Sequence, residues 1–240
     1  MPALLPFRFP GLDNIRCYFT TGLYGNIRLD DEAALARRQD LPFLLGFSNW
    51  TEMSQVHGNT LLVNPEATAP ELSSPLEADG CCTDRRGQAM LVKSADCQPI
   101  LLAHKSGKYI AALHVGWRGN VLNFPGQGVR DFCVAYDLAP EDVMAVRGPS
   151  LGPGAAEFVN FTREWPPEFS PWFNFGTRRM DLWSLTRQQL QNAGIKREHI
   201  YGLDMCTFTM QQLFFSYRAE QAGLQTGDKV GRQAALIYMK

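Results

Sequence analysis

Histidine is scarce in this 240-residue chain, and closely paired cysteines are missing. There are four histidines and six cysteines, and no two cysteines stand in a CxxC arrangement. This excludes a zinc finger, which takes its ligands from such pairs. The cysteine spacing also shows no disulfide framework. We therefore expect a reducing cytosol, with most of the thiols acting as small buried apolar groups.

An excess of charge and long apolar runs are also lacking. The net charge is -1 and the basic residues are scattered, so there is no basic patch of the kind that nucleic-acid binding requires. No apolar run approaches the roughly 20 residues of a membrane helix. The first residues hold two prolines and no basic flank before an apolar core, which is not the pattern of a secretory signal. We expect a cytoplasmic protein with neither nucleic-acid nor membrane partners.

What the sequence contains is the pattern of a mixed α/β domain. Hydrophobic residues make up 45% of the chain, enough for a sizeable core. Short apolar runs predict strands over residues 89–92, 100–103, 109–113, 143–146 and 234–239. Helical spacing follows Gly119, and a second helix is predicted from Asp181, its N-cap, to Asn192, before Gly194.

Two proline-rich stretches, residues 65–75 and 165–171, are predicted to be surface loops, because proline removes a backbone donor. Neither stretch separates segments of different composition. We therefore predict a single domain over residues 1–240, with a large central sheet flanked by helices.

Three segments each place a soft metal ligand where a strand should give way to a turn. They are Gln55–Gly58 with His57, Ser94–Pro99 with Cys97, and Leu113–Gly119 with His114. Two imidazoles and one thiolate are a suitable set for a catalytic zinc, which keeps a fourth position open. The residues alone leave the alternatives open that Cys97 is a core cysteine and His114 a buried strand histidine. His104 and His199 lie in charged surface stretches and are not predicted to be ligands.

Two residues beside these ligands are candidates for catalysis. Asp96 precedes Cys97, where a carboxylate orients a ligating histidine, accepts a proton or simply caps a turn. Arg118 lies in a glycine-bearing turn that leads into a helix. Its guanidinium and the helix amino end suit phosphate or carboxylate. Without a metal, Cys97 is a candidate nucleophile and His114 its base, as in a Cys–His hydrolase.

These segments resemble, in order, the motifs of the bacterial YfiH-like family, also called the laccase-domain or multicopper polyphenol oxidase family. The match covers roughly residues 20 to 240. Besides the three ligand segments it rests on Ala78-Asp79-Gly80 with Thr83, Gly148-Pro149-Ser150, Cys206-Thr207, Phe214–Arg218 and Gly231-Arg232-Gln233. Any one segment is weak evidence, but the full series in order is strong.

The resemblance implies a single mixed α/β domain, similar to bacterial toxin deamidases that use a Cys–His pair. It implies zinc held by His57, Cys97 and His114, and a nucleoside and phosphate as small-molecule partners. The implied activity is purine nucleoside phosphorolysis of adenosine or inosine, with methylthioadenosine cleavage and adenosine deamination as further activities. Editing of peptidoglycan precursors is attributed to one branch.

Copper-dependent phenol oxidation is an older attribution of the family. One cysteine and two histidines can hold a single copper, so copper is an alternative to zinc. A multicopper enzyme needs more ligand histidines than the four in this chain.

Overall fold

The computed structural model describes residues 2–30, 32–225 and 231–240. Its strands are β1 (Leu4–Phe7), β2 (Ile15–Thr20), β3 (Asn49–Thr51), β4 (Leu61–Val63), β5 (Gly80–Thr83), β6 (Gln88–Ser94), β7 (Gln98–His104), β8 (Ile110–Val115), β9 (Val143–Arg147), β10 (Phe173–Asn174), β11 (Arg179–Met180), β12 (Ile200–Gly202) and β13 (Gln233–Met239). Its α-helices are α1 (Glu32–Leu45), α2 (Trp117–Val121), α3 (Phe124–Tyr136), α4 (Phe161–Glu164), α5 (Leu182–Asn192) and α6 (Tyr217–Gln221). The mixed α/β class is confirmed.

The strands are divided between two main sheets, where the sequence analysis expected one large central sheet. The first sheet has the order β1-β2-β13-β6-β3, and the second has the order β12-β9-β7-β8-β5-β4. Strands β6 and β7 follow each other in the chain, yet they belong to different sheets. The three-residue link between them, 95–97, is a crossover from one sheet to the other. The link from β3 to β4 crosses in the same direction.

The two sheets pack face to face, and helices cover their outer faces. One buried cluster draws side chains from both sheets, among them Phe19, Val92, Leu101, Ala112 and Ile237. Helices α3 and α5 pack on the outer face of the second sheet, and α1 packs on that of the first. Both faces of the central strands are therefore covered, which explains their continuous apolar runs.

The predicted helix from Asp181 to Asn192 is confirmed as α5. The Asp181 carboxylate accepts a hydrogen bond from the Ser184 backbone N–H at 3.0 Å, as an N-cap does. Gly194 follows with φ of +104°, which ends the helix. The helical stretch after Gly119 is divided into α2 and α3, because Asn123 adopts a left-handed conformation between them.

The second proline-rich stretch differs from its prediction. It forms a short 3₁₀-helix, Pro167–Trp172, and the side chains of Trp165 and Phe169 are buried. Both belong to an aromatic cluster with Phe158, Phe161 and Phe173. Burial of these rings outweighs the loop tendency of the prolines. The first stretch, residues 65–75, lies as predicted in the loop between β4 and β5.

Within the described residues, none of the helices combines the length and the apolar character that crossing a membrane would take.

Candidate metal centre and its cavities

The structure brings His57, Cys97 and His114 together at one edge of the two sheets. His57 lies on the crossover from β3 to β4, Cys97 on the crossover from β6 to β7, and His114 within β8. One ligand atom from each side chain lies within 4.8 Å of the others. The His57 and His114 rings stand nearly perpendicular, with centroids 5.0 Å apart.

The donor atoms have the spacing that one small metal ion requires. Tetrahedral zinc with Zn–S of about 2.3 Å and Zn–N of about 2.05 Å separates sulfur and nitrogen ligands by about 3.6 Å. The distance from Cys97 Sγ to His57 Nε2 is 3.7 Å. Within residues 2–30, 32–225 and 231–240, no other group of three or more His, Cys, Asp or Glu side chains converges in this way.

A buried carboxylate, Asp79, holds two of these residues in place. Its Oδ1 accepts hydrogen bonds from His114 Nδ1 at 2.8 Å and from the His57 backbone N–H at 3.0 Å. Its Oδ2 accepts from the backbone N–H groups of Val56 and Gly58, at 3.2 and 2.6 Å. Because His114 Nδ1 donates to Asp79, Nε2 is left as the ligand atom.

The charges of the site depend on one another. Burial alone would raise the pKa of Asp79, but hydrogen bonds from His114 and from the backbone of Gly58 and His57 lower it below its ordinary value. Burial would also raise the pKa of Cys97, yet the neighbouring charge of His114 and hydrogen bonds from both histidines lower it. The site therefore favours a thiolate, the form of cysteine that binds a metal.

Gly116 allows the two ligands to approach the turn after β8. A Cβ atom on this residue would lie 2.9 Å from His57 Cδ2 and 3.0 Å from Cys97 Sγ. Both distances are at or below the closest approach of real Cβ atoms. The missing Cβ of Gly116 therefore leaves the space that the side chains of His57 and Cys97 occupy.

Asp96 makes other contacts than those the sequence suggested. Its Oδ1 accepts a hydrogen bond from Thr207 Oγ1 at 2.6 Å, and its Oδ2 accepts one from the Arg218 backbone N–H at 2.8 Å. The carboxylate that orients a histidine is Asp79, so of the three roles considered for Asp96 this one is taken by another residue. Asp96 instead lines a cavity next to Cys97.

Arg118 is exposed, and its guanidinium carbon lies 4.4 Å from the centroid of the Trp117 ring. The helix that follows the glycine turn is α2, which has five residues and no side-chain cap at its start. The dipole of so short a helix is small, which weakens the sequence argument for an anion held at the helix amino end.

The two histidines that were not predicted as ligands lie elsewhere. His104 Nδ1 is 2.8 Å from Ser106 Oγ in the β7–β8 turn, and His199 Nδ1 is 3.1 Å from the Glu141 carbonyl oxygen.

Two cavities meet at the metal-ligand group. The aromatic cavity, of about 320 Å³, is lined among others by Asp96, Trp117, Arg118, Leu151, Phe158 and Tyr217. The basic cavity, of about 530 Å³, is lined among others by Arg28, Ser54, Gln55, Ser74, Lys93 and Arg232. His57, Ala95, Cys97 and Arg232 line both cavities. Arg232 was named from the sequence only as part of a family motif, and Arg28 and Lys93 were not named, since each is an isolated basic residue in its own segment.

Comparisons with known proteins agree on one family. The sequence model of the family described as multi-copper polyphenol oxidoreductase laccase matches residues 20–240. The purine nucleoside phosphorylase YfiH of Escherichia coli is 33% identical over 196 residues, 79% of this chain and 73% of that protein. A purine nucleoside phosphorylase of Xylella fastidiosa is 30% identical over 229 residues, 91% of this chain and 82% of that protein.

Solved structures show the same fold. A Neisseria meningitidis protein of the DUF152 family aligns with a TM-score of 0.80 and 26% identity over 100% of both chains. A Bacillus licheniformis hypothetical protein YfiH aligns with a TM-score of 0.85 over 100% of this chain and 97% of that one. Its identity is 21%, so this likeness concerns the fold alone.

Proposed function

The chain belongs to the family described as multi-copper polyphenol oxidoreductase laccase, and from this membership we propose that it is a zinc-dependent purine nucleoside phosphorylase. Adenosine or inosine reacts with phosphate to give the free base and ribose 1-phosphate. Methylthioadenosine cleavage and adenosine deamination are further proposed activities. The names of the E. coli and X. fastidiosa relatives support the reaction class. The observation that carries the proposal is the convergence of His57, Cys97 and His114 where two cavities meet.

The proposed metal ligands are His57, Cys97 and His114, with Asp79 holding the two histidine segments. A zinc ion held by these residues would supply a positive charge that polarises an oxygen atom of the substrate. Three protein ligands would leave such an ion one position for that contact.

The aromatic cavity is the proposed site of the purine ring. Trp117 and Phe158 stand edge to face, with ring centroids 6.0 Å apart, and both line this cavity. A flat, apolar base gains contact area and stacking energy from such rings. Tyr217 adds a polar hydroxyl to the same wall.

Asp96 is the proposed group for proton transfer. When the bond from sugar to base breaks, the electron pair leaves with the purine nitrogen, which then takes up a proton. Two hydrogen bonds, from Thr207 and Arg218, fix the Asp96 carboxylate in the cavity wall. The hydrogen phosphate that attacks the sugar gives up the proton that the purine nitrogen takes up, and a free lone pair of Asp96 accepts this proton and passes it to the base.

Arg118 is proposed to contact the substrate at the rim of the aromatic cavity, where its guanidinium lies over Trp117. The sequence-based assignment of Arg118 to phosphate stays a prediction, which the experiment on phosphate affinity below addresses.

The experiment that tests the function combines elemental analysis with product detection. Protein purified without added metal should hold one zinc per chain. It should convert adenosine and phosphate to adenine and ribose 1-phosphate, detected by chromatography. Cys97→Ala should lose most of the metal, while His104→Ala should keep it. Base release that is independent of phosphate would indicate hydrolysis, and zinc-loaded protein without any purine product would contradict the proposal.

A second candidate is a metal-free Cys–His hydrolase, because the pKa of Cys97 is lowered beside His114. In that case Cys97 is the nucleophile and His114 the base. Iodoacetamide labelling distinguishes the two candidates. A metal-bound thiolate reacts slowly until a chelator is added, whereas a catalytic thiolate reacts fast from the start and chelator leaves its activity intact.

The proposed location is the cytoplasm. The six cysteines are free thiols in the structure, four of them buried, and a reducing compartment keeps them so.

A further inference from the structure

We propose that the basic cavity is the binding site for the inorganic phosphate that attacks the nucleoside, with Arg28, Lys93 and Arg232 as its cationic contacts. The inference rests on the proposed function and deepens it, because it assigns the second substrate to a defined site. It places phosphate on the other side of the metal ligands from Trp117 and Arg118.

The charged side chains in the wall of the basic cavity are all positive. Arg28, Lys93 and Arg232 are basic, and no Asp or Glu is among the described residues that line this cavity. The hydroxyl groups of Ser54, Ser73, Ser74 and Ser94 complete a wall rich in hydrogen-bond donors. A concave surface whose charges are all positive concentrates the electrostatic potential and favours a small multivalent anion.

The charge of Lys93 is not cancelled by its neighbour. Lys93 Nζ lies 3.0 Å from Glu52 Oε2, but the same carboxylate forms a two-pronged, buried ion pair with Arg38. One negative charge therefore faces two positive charges. Lys93, Arg38 and Glu52 together therefore keep one net positive charge next to the cavity.

Arg232 connects the two cavities. It lines both of them together with His57 and Cys97, so it stands where the candidate metal ligands and the cationic wall meet.

The backbone that carries Lys93 is firmly held. The Gln55 side chain donates to the Lys93 carbonyl oxygen at 2.7 Å and accepts from the Lys93 N–H at 2.8 Å. This pairing joins the segment of His57 to strand β6. The lysine, its carboxylate partner and the nearest metal ligand thus form one fixed unit, as a preorganised site requires.

The direction from which phosphate attacks the sugar requires two separate pockets. A displacement at C1′ forms a new bond to a phosphate oxygen while the bond to the purine nitrogen breaks. The nucleophile approaches from the face opposite to the leaving group, as in inverting glycoside cleavage. Base and phosphate therefore need separate pockets on opposite sides of the reacting carbon. The aromatic and basic cavities meet at His57 and Cys97, which provides this arrangement.

The experiment compares full-length, zinc-loaded protein with Arg28→Gln, Lys93→Gln and Arg118→Gln variants. Arg28 is exposed, so its replacement removes a charge with little effect on packing. Arg197→Gln, a loss of charge on an exposed residue outside both cavities, is the matched control. The readouts are the KM for phosphate and the KM for nucleoside in base release, and the Kd for inorganic phosphate from calorimetry, which needs no turnover.

Arg28→Gln and Lys93→Gln should each raise the KM and the Kd for phosphate about tenfold or more, the scale of a lost charge-assisted hydrogen bond. The KM for nucleoside should hardly change, and Arg197→Gln should match the wild type. Unchanged phosphate constants in both cavity variants, or a rise confined to Arg118→Gln, would overturn the inference and leave the phosphorylase function standing. If the wild type turns over no nucleoside, the proposed function fails. Phosphate binding that Lys93→Gln and Arg28→Gln weaken would still establish the anion site.

Discussion

The Asp79 carboxylate contacts the His114 ring and thereby supports the metal-ligand group, which consists of His57, Cys97 and His114. Asp79 Oδ1 lies 2.8 Å from His114 Nδ1, and the same oxygen accepts the backbone N–H of His57 at 3.0 Å. One buried oxygen atom therefore fixes the ring direction of one ligand and the main chain of another. The left-handed conformation of His57, with φ of 62°, belongs to the turn that wraps three backbone N–H groups around this carboxylate.

Asp79→Asn should weaken metal binding without removing a ligand. The amide keeps the volume, but its NH₂ group replaces one of the two acceptor oxygens, so some of the N–H groups that bond to Asp79 lose their acceptor. We expect a loss of 10- to 100-fold in zinc affinity and about 1–3 kcal/mol in the free energy of unfolding. Competition with a chelator and urea unfolding measure the two effects. Asp13→Asn, at an exposed position, should change neither, and an unaltered zinc affinity in Asp79→Asn would refute the supporting role.

Gly116→Ala should disturb the metal-ligand group through its contacts with His57 and Cys97. The added Cβ would meet His57 Cδ2 at 2.9 Å and Cys97 Sγ at 3.0 Å, so one ligand must move. We expect weaker zinc binding and a lower kcat for base release, with all three ligands still present. Gly154→Ala is the matched control, because nothing lies within 4 Å of its Cβ position. Equal zinc affinity in the two variants would show that the contact is harmless.

Asp96→Asn should reduce turnover and spare the metal. The expected loss in kcat is about 10²- to 10⁴-fold, the contribution of a positioned acid or base, with one zinc per chain retained. Thr207→Val removes a hydrogen bond to the carboxylate at 2.6 Å but keeps its charge, so its loss in kcat should be smaller. Base release by Asp96→Asn at the wild-type rate would eliminate Asp96 as the proton carrier.

The buried pair of Glu52 and Arg38 should make stability depend on pH. Burial would raise the pKa of Glu52, but hydrogen bonds and charges from Arg38 and Lys93 lower it below its ordinary value of 4.5. The ionised form is thus favoured by folding. The stabilisation is complete above the ordinary value and is lost as the pH falls through the lowered one.

Glu52→Gln should therefore lower the free energy of unfolding by about 3–5 kcal/mol near neutral pH, because it leaves Arg38 buried without its partner charge. The difference from the wild type should shrink as the pH falls below 4.5. Denaturant titrations over this pH range measure it. Glu66→Gln, which affects an exposed pair with Arg85, should cost no more than about 1 kcal/mol at any pH. If the difference in the free energy of unfolding between Glu52→Gln and the wild type stays constant with pH, the lowered pKa of Glu52 is contradicted.

Local features of the fold were accessible from the sequence. The limits of α5 follow from Asp181 and Gly194, which act through their own neighbours in the chain. The five predicted strands correspond to β6, β7, β8, β9 and β13 because their apolar runs are buried on both faces. The division of these strands between two sheets depends on which strands pair across long separations, and no single-segment pattern contains that information.

The group of His57, Cys97 and His114 was predicted from three soft ligands at three turns and from the order of the family motifs, and the structure brings those residues together. Asp96, next to Cys97 in sequence, was considered for support of a ligating histidine, for proton transfer and for capping a turn. The residue that takes this role, Asp79, is 35 positions from His114. One feature of the sequence could have indicated this role: Asp79 is an ionisable residue directly before a buried segment that contains Cys81 and Cys82.

The two crossovers between the sheets have a consequence for the order in which the chain folds. His57 and Cys97 lie on separate links that leave the first sheet and enter the second, so neither reaches its place until the sheets have docked. Contacts between such distant segments form late, since the loop-closure entropy must be overcome first. We therefore expect uptake of the proposed metal during refolding to follow the docking of the sheets, so that the appearance of bound metal reports the time of that event.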